Sequence, residues 1–231
     1  MNLPAVTTEH LFIGFEGIEN GTFEKNFQEV VARGHDVIIT LEPQNHLDTA
    51  KEVNVLKQVL SGKYDPLLQK FFEITSGTEK DVYFRFAHEM EIPVERYPWQ
   101  MQDPLLYIKA FRYVMKYPGE EAKNIFKIWA PAGDCGALDW WPGGDVVDFI
   151  SISIYGLPDK NITDFEKQES FKKIYFRKKK RLDLFGKPFF IAEFGVKGGE
   201  EYQKLWLKNA AEVINKNREI YGVSYFNNPD L

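Results

Sequence analysis

The chain has 231 residues, 44% of them hydrophobic and 27% charged, which suffices for one sizeable core and excludes disorder as the main state. A formal charge of −5 argues against an electrostatic nucleic-acid binder. Residues 1–10 carry neither a basic n-region nor an apolar h-region, and no apolar stretch is long enough to span a bilayer, so no signal peptide or membrane insertion is expected in this chain.

Short apolar runs read as strands at residues 11–15, 37–41, 82–87, 126–130, 149–154, 189–194 and 223–226. Amphipathic stretches between them predict helices at 22–33, 53–60, 65–75, 103–116, part of 165–184, and 201–218. Asp103 before Pro104 marks a helix start, because a proline in the first turn lacks an N–H that would have no partner there. Gly34, Gly77 and Gly186 each stand where a helix ends before a strand. No linker, composition break or repeat interrupts the alternation, so residues 1–231 read as one α/β domain.

Strand parity selects the architecture. Ser151, Ser153 and Tyr155 share one face while Ile150, Ile152 and Ile154 share the other; Arg85, Ala87 and Glu89 likewise oppose Phe84, Phe86 and His88. A doubly wound sheet is apolar on both faces, whereas one polar face suits the lumen of a (β/α)8 barrel. The barrel is expected.

Glu89 follows one strand and Glu193 ends another, where a parallel barrel collects its catalytic groups. A lone strand-end glutamate more often pairs with a neighbouring base. Two of them converging across the mouth supply what retaining glycoside hydrolysis needs, one carboxyl kept protonated and one kept ionised. Glu193 shares parity with Ile191 and is read as directed into the lumen, and Trp129, on the parity of Lys127, is read as lining it. Trp99, Trp140 and Trp141 fall in loops after strands, where rings can stack on sugars; Trp206 reads as core. His10, His35 and His46 have no metal-ligand spacing and Cys135 has no partner motif, so no catalytic metal is expected.

His88-Glu89-Met90, Tyr97-Pro98-Trp99, Trp129-Ala130-Pro131-Ala132-Gly133-Asp134, Trp141-Pro142-Gly143, Val147-Asp148, Tyr155-Gly156 and Ile191-Ala192-Glu193-Phe194-Gly195 occur in that order, after Leu41-Glu42-Pro43 and Gly62-Lys63-Tyr64-Asp65. Together they resemble glycoside hydrolase family 26, a β-mannanase and endo-β-glucanase family built on a (β/α)8 barrel, over roughly residues 38–227. The resemblance implies that Glu89 is the acid/base, Glu193 the nucleophile, Tyr155 its hydrogen-bond donor and Trp99 an aromatic flanking the sugar. Arg85, His88, Trp129 and Trp141 join the expected substrate contacts. It further implies a polysaccharide substrate, no cofactor, and a secreted or periplasmic setting.

Departures from the family pattern narrow this. Glu91 follows the His-Glu-Met triplet where the family often has Asn, and Ser153 stands where mannanases commonly place Asp, closer to an exopolysaccharide-associated or endoglucanase-like branch. Taking the Glu193 strand as the seventh leaves no room for a first βα unit or for a closing helix, so the barrel is expected to be incomplete. Its open edge then calls for self-association or for a further covering segment. Two rival functions are a barrel that binds glycan without cleaving it and, on Lys197-Gly198-Gly199, a phosphosugar isomerase or aldolase. The basic run Arg177-Lys178-Lys179-Lys180-Arg181 is read as a solvated helix face, with an anionic polymer as the alternative.

Overall fold

The computed structural model describes residues 6–44, 54–94, 96–119, 122–164 and 167–226. Positions 53, 165 and 227, where the sequence reading begins or ends a segment, lie outside them. The strands are β1 (Thr8–Gly14), β2 (Asp36–Glu42), β3 (Val82–Phe86), β4 (Ile125–Trp129), β5 (Phe149–Gly156), β6 (Phe189–Val196) and β7 (Ile220–Tyr225). The helices are α1 (Phe15–Glu19), α2 (Thr22–Ala32), α3 (Val55–Leu60), α4 (Asp65–Ser76), α5 (Pro104–Lys116), α6 (Phe171–Leu182) and α7 (Glu200–Lys216). Every neighbouring pair of strands is parallel and the order is that of the sequence, so the sheet curls in one direction into a half-barrel.

Local chemistry accounts for the boundaries. Asp103 accepts the Leu106 N–H at 2.8 Å and Pro104 opens α5, as the sequence predicts. Phe15, expected to end a strand, instead starts α1, where its ring stacks on Tyr64 at 4.0 Å and is buried. Strand β7 begins at Ile220, before the predicted residue 223.

Two apolar layers form. The larger lies between strands and helices and contains Phe23, Phe27, Phe71, Phe84, Phe111 and Trp206. The smaller fills the lumen with Ile38, Tyr83, Ile128, Ala130, Phe149, Phe190 and Ala192. Tyr83 donates its hydroxyl to Tyr221 across this lumen at 3.2 Å. Much of the 15% aromatic content is therefore consumed in packing and leaves few rings for a ligand.

Among the described residues, β1 and β7 are not paired as neighbours in the sheet. A cleft of about 830 Å³ separates them, lined among others by Thr8, His10, Phe12, Tyr221, Ser224 and Tyr225. His10 and Ser224 approach across it to 3.4 Å. No helix among the described residues is long and apolar enough to cross a membrane.

Gly156 closes β5 against α7. A Cβ there would lie 2.5 Å from Cε2 of Trp206, itself buried and stacked on Phe194. Gly156→Ala should therefore overpack this contact and destabilise the protein by about 1–3 kcal/mol, read as a lower urea midpoint with an unchanged slope. An unchanged midpoint would contradict the packing described.

Candidate active site

Alternation along β3 points Tyr83 and Arg85 inward, and Arg85 is 1% exposed. A guanidinium so buried must be paired. One Nη donates to Glu193 Oε1 at 3.0 Å and the other to Thr40 Oγ1 of β2 at 2.9 Å. Thr40 also lies 2.7 Å from His10 Nε2, and His10 Nδ1 lies 3.1 Å from the Ala192 carbonyl. The carbonyl can only accept, so Nδ1 carries the proton, and Nε2 accepts from the Thr40 hydroxyl. Burial, followed by the Arg85 charge, holds His10 at a pKa of about 3, and neutral imidazole is the form this chain of bonds requires.

Parity alone does not deliver Glu193 to this site. Phe190 and Ala192 face the lumen while Ile191 packs against the helices, so strict alternation would send Glu193 outward with Ile191. The register breaks at this point: Ile152 pairs with Ile191, but Ser153 pairs with Glu193, leaving Ala192 as an extra residue on β6. That bulge turns Glu193 inward beside Ala192, and the expected parity argument is corrected accordingly. Tyr155, at the end of β5, donates to Glu193 Oε2 at 2.9 Å. Burial pushes the Glu193 carboxyl up, but Arg85 and the Tyr155 bond outweigh it and hold the pKa at about 2.

Glu89 sits in the turn after β3. Ala87 has φ 49° and Glu89 φ 53°, a left-handed conformation that costs a non-glycine residue about 1–2 kcal/mol. Four bonds hold the turn: Ala87 N–H to Leu41 O at 3.1 Å, Trp99 Nε1 to His88 O at 2.7 Å, Glu89 N–H to Ala130 O at 2.8 Å, and Gln100 Nε2 to Glu89 O at 3.1 Å. Burial, then the charge of Glu193, raises the Glu89 pKa. The two carboxyls are thus pushed apart, one toward the ionised and one toward the protonated form.

The remaining expected site residues are placed as follows. His88 is buried against Tyr97 and Trp99, with ring centroids at 5.3 and 5.8 Å, and its pKa is held at about 3 by burial and then by Arg85. Trp99 is fully buried, and Tyr97 lies flat over it at 4.5 Å, so Trp99 supports the turn and the half-buried Tyr97 is the outer ring of the pair. Trp129 does not line the lumen. Its neighbours Ile128 and Ala130 do, while Trp129 turns into the outer layer and meets Trp141 and Phe185 at 5.0 and 5.5 Å. Trp141 stacks on Phe185 at 4.1 Å in the same aromatic cluster, so neither tryptophan joins the carboxyls.

Sequence reasoning missed His10, Thr40 and Glu42. The first two are polar residues on the lumen parity of strands that are otherwise apolar, a signal available in the sequence. Glu42 ends β2 as a third carboxyl near Glu193, its pKa raised by burial. Among the described residues no group of three or more His, Cys, Asp or Glu could hold a metal ion.

No family model matches the chain. A β-1,3-xylanase from a Vibrio species is 29% identical over 113 residues, covering 46% of this chain and 24% of that protein; a β-1,3-xylanase from an Alcaligenes species is equally similar, with 23% of its length covered. The chain thus spans about a quarter of the length of these curated relatives. Among solved structures, a β-mannanase from a symbiotic protist of the termite Reticulitermes speratus, complexed with a gluco-manno-oligosaccharide, is 15% identical with a TM-score of 0.62 over 96% of this chain and 71% of that one. A family 5 xyloglucan-specific endo-β-1,4-glucanase from a metagenomic library, in complex with cellotriose, is 11% identical with a TM-score of 0.66 over 96% and 74%. The chain has the fold of barrel glycosidases and a distant similarity to β-glycan hydrolases.

The Arg85–Glu193 pair makes stability depend on pH. A carboxyl held near 2 when folded, against an ordinary 4.5, binds fewer protons than in the unfolded chain between those values. Its contribution is full above 4.5 and is lost as pH falls through 2. Arg85→Met leaves that carboxylate buried and unpaired, and should cost about 3–5 kcal/mol at pH 7. In urea unfolding the deficit should shrink toward pH 3 as the orphaned carboxyl takes up a proton; a deficit constant over that range would contradict the pairing.

Proposed function

We propose that the chain is a retaining, endo-acting glycoside hydrolase that cleaves a β-linked polysaccharide, of the family 26 type, with Glu89 and Glu193 as its two carboxyls. The observation that carries this reading is a pair of glutamates, one in the turn after β3 and one in β6, whose surroundings push their proton affinities in opposite directions: burial raises the Glu89 pKa, while the Arg85 contact lowers that of Glu193. Glu89, its proton affinity raised by burial, gives its proton to the glycosidic oxygen as the C–O bond breaks. Glu193, kept ionised by Arg85, attacks the anomeric carbon and forms a glycosyl ester. Glu89, now a carboxylate, takes a proton from water as that water attacks the anomeric carbon; the bond from that carbon to the Glu193 oxygen breaks, which frees the Glu193 carboxylate and restores both groups. Tyr155 holds the attacking carboxylate in place, and Tyr97 offers a ring at the mouth.

Mannan, β-glucan and an exopolysaccharide are the substrates the sequence points to, and the distant β-1,3-xylanases add β-1,3-xylan to that set. A glycan-binding barrel without turnover is the second reading, favoured by the unclosed seam between β1 and β7 beside His10. A screen of these polymers for new reducing ends separates the two: release supports hydrolysis, and binding without release supports the second reading.

Two outcomes follow for the hydrolase. Glu89→Ala should slow polysaccharide cleavage by about 10²–10⁴-fold while sparing aryl glycosides with good leaving groups, which need little protonation. Equal losses on both would reassign Glu89. The pH profile of kcat/KM should be a bell, its acid limb belonging to ionisation of Glu193 and its alkaline limb to loss of the Glu89 proton, as macroscopic values of the pair.

A further inference from the structure

Helix α6 buries Phe171, Ile174, Tyr175 and Leu182, and position 178 falls on this same stripe. Lys178, read from the sequence as part of a solvated basic run, is therefore carried inward. Its stem packs on Gly133, where an added Cβ would lie 3.0 Å from both Cβ and Cγ of Lys178 and where φ is 86°. Its ammonium donates to the Ser153 carbonyl at 2.8 Å, at the point where β5 meets the β6 bulge beside Glu193.

Gly133 belongs to the loop after β4, and that loop holds the acid/base turn at both ends. The Ala130 carbonyl accepts the Glu89 N–H at 2.8 Å. The N–H groups of Gly133 and Asp134 donate to Glu91 Oε1 at 2.9 and 3.3 Å. Glu91 Oε2 is buried with no hydrogen-bond partner. From the next turn of α6, Arg181 donates to the Gly133 carbonyl at 2.8 Å. The turn 89–91, the loop 130–134 and α6 thus form one layered contact, with the Lys178 side chain on its strand side.

We propose that Lys178 is a positioning residue for Glu89: it fixes the loop that holds the Glu89 backbone, and its ammonium, half-buried and anchored on the Ser153 carbonyl, places a positive charge within electrostatic reach of Asp134, Glu89 and Glu91. The charged groups around it are Glu89 and Glu91 on the turn after β3, Asp134 on the loop after β4, and Arg177 on its own helix. Glu89 itself also faces Glu193 of β6 and Arg85 of β3. Burial lowers the Lys178 pKa from its ordinary value, consistent with an ammonium withdrawn from water. This assignment names a regulator of the acid/base in the hydrolase reading and rests on it for its catalytic meaning.

The test reads the resting protein, without substrate. In protein labelled with ¹³C at glutamate carboxyls, the Glu89 signal is assigned by its loss in Glu89→Gln and titrated in wild type, Lys178→Met and Lys180→Met. Lys180, exposed on the same helix, controls for the loss of one positive charge. The Glu89 midpoint should rise by about half a unit to one unit in Lys178→Met and stay at the wild-type value in Lys180→Met. Equal midpoints in the two variants would overturn the proposal. Lys178→Gln, which keeps a donor for Ser153 without the charge, is judged by the same criterion if the Met variant does not fold. A selective shift in a protein that hydrolyses none of the polymers supports the assignment and counts against the hydrolase reading, so the two fail separately.

Discussion

A guanidinium and a carboxylate facing each other in a nearly dry lumen set the terms for the rest of the structure. Arg85 and Glu193 are 1% and 8% exposed, and neither could stay charged there alone. The contact between them uses one donor and one acceptor, and the remaining hydrogen-bonding groups shape their surroundings. Thr40 accepts the second Nη group, His10 accepts from Thr40, the Ala192 carbonyl accepts from His10, and Tyr155 covers the other Glu193 oxygen. Ala192 belongs to the β6 bulge, so the chain of bonds that starts at Arg85 ends by fixing the backbone irregularity that turns Glu193 inward. Strands β1, β2, β3, β5 and β6 all contribute, which is why the site needs the curl of the sheet.

Around Glu89 the physics is different. Glu89 has no cation in contact comparable to Arg85, and burial governs it. Its backbone occupies a left-handed turn that neighbouring carbonyls, Trp99 and Gln100 hold by hydrogen bonds, so strain is offset where the side chain must be aimed. Two chemically identical side chains thereby differ in proton affinity because one is paired with a guanidinium while the other is desolvated and faces the first one's negative charge. That asymmetry is the basis for assigning them different chemical roles.

The parts of this arrangement legible in the sequence are those that follow from periodicity. The seven strands, the inward face of Ser151, Ser153 and Tyr155, and the placing of Arg85 rest on alternation, which the sheet respects at those positions. The bulge at Ala192 was not legible, because a one-residue irregularity leaves no mark in hydrophobic pattern; it reversed the reasoning for Glu193 while leaving the residue in the lumen. Trp129 failed for the opposite reason. Lys127 suggests a polar face on its parity, yet Ile128 and Ala130 occupy the lumen and the indole fills the helix layer. Trp99 was expected to meet a sugar, and only the fold shows Tyr97 lying over it. Lys178 was hidden by its basic neighbours, although its spacing from Ile174 and Leu182 already placed it on the buried stripe.

The most direct test of the account is to trap the ester that its ionised carboxylate would form. A slow fluorinated glycoside of whichever polymer proves to be cleaved is incubated with the protein, which is then digested and mapped by mass spectrometry. The account predicts one added glycosyl group on the peptide containing Glu193, absent in Glu193→Gln. A label on Glu89, or turnover with inversion at the anomeric carbon and no label, would contradict it.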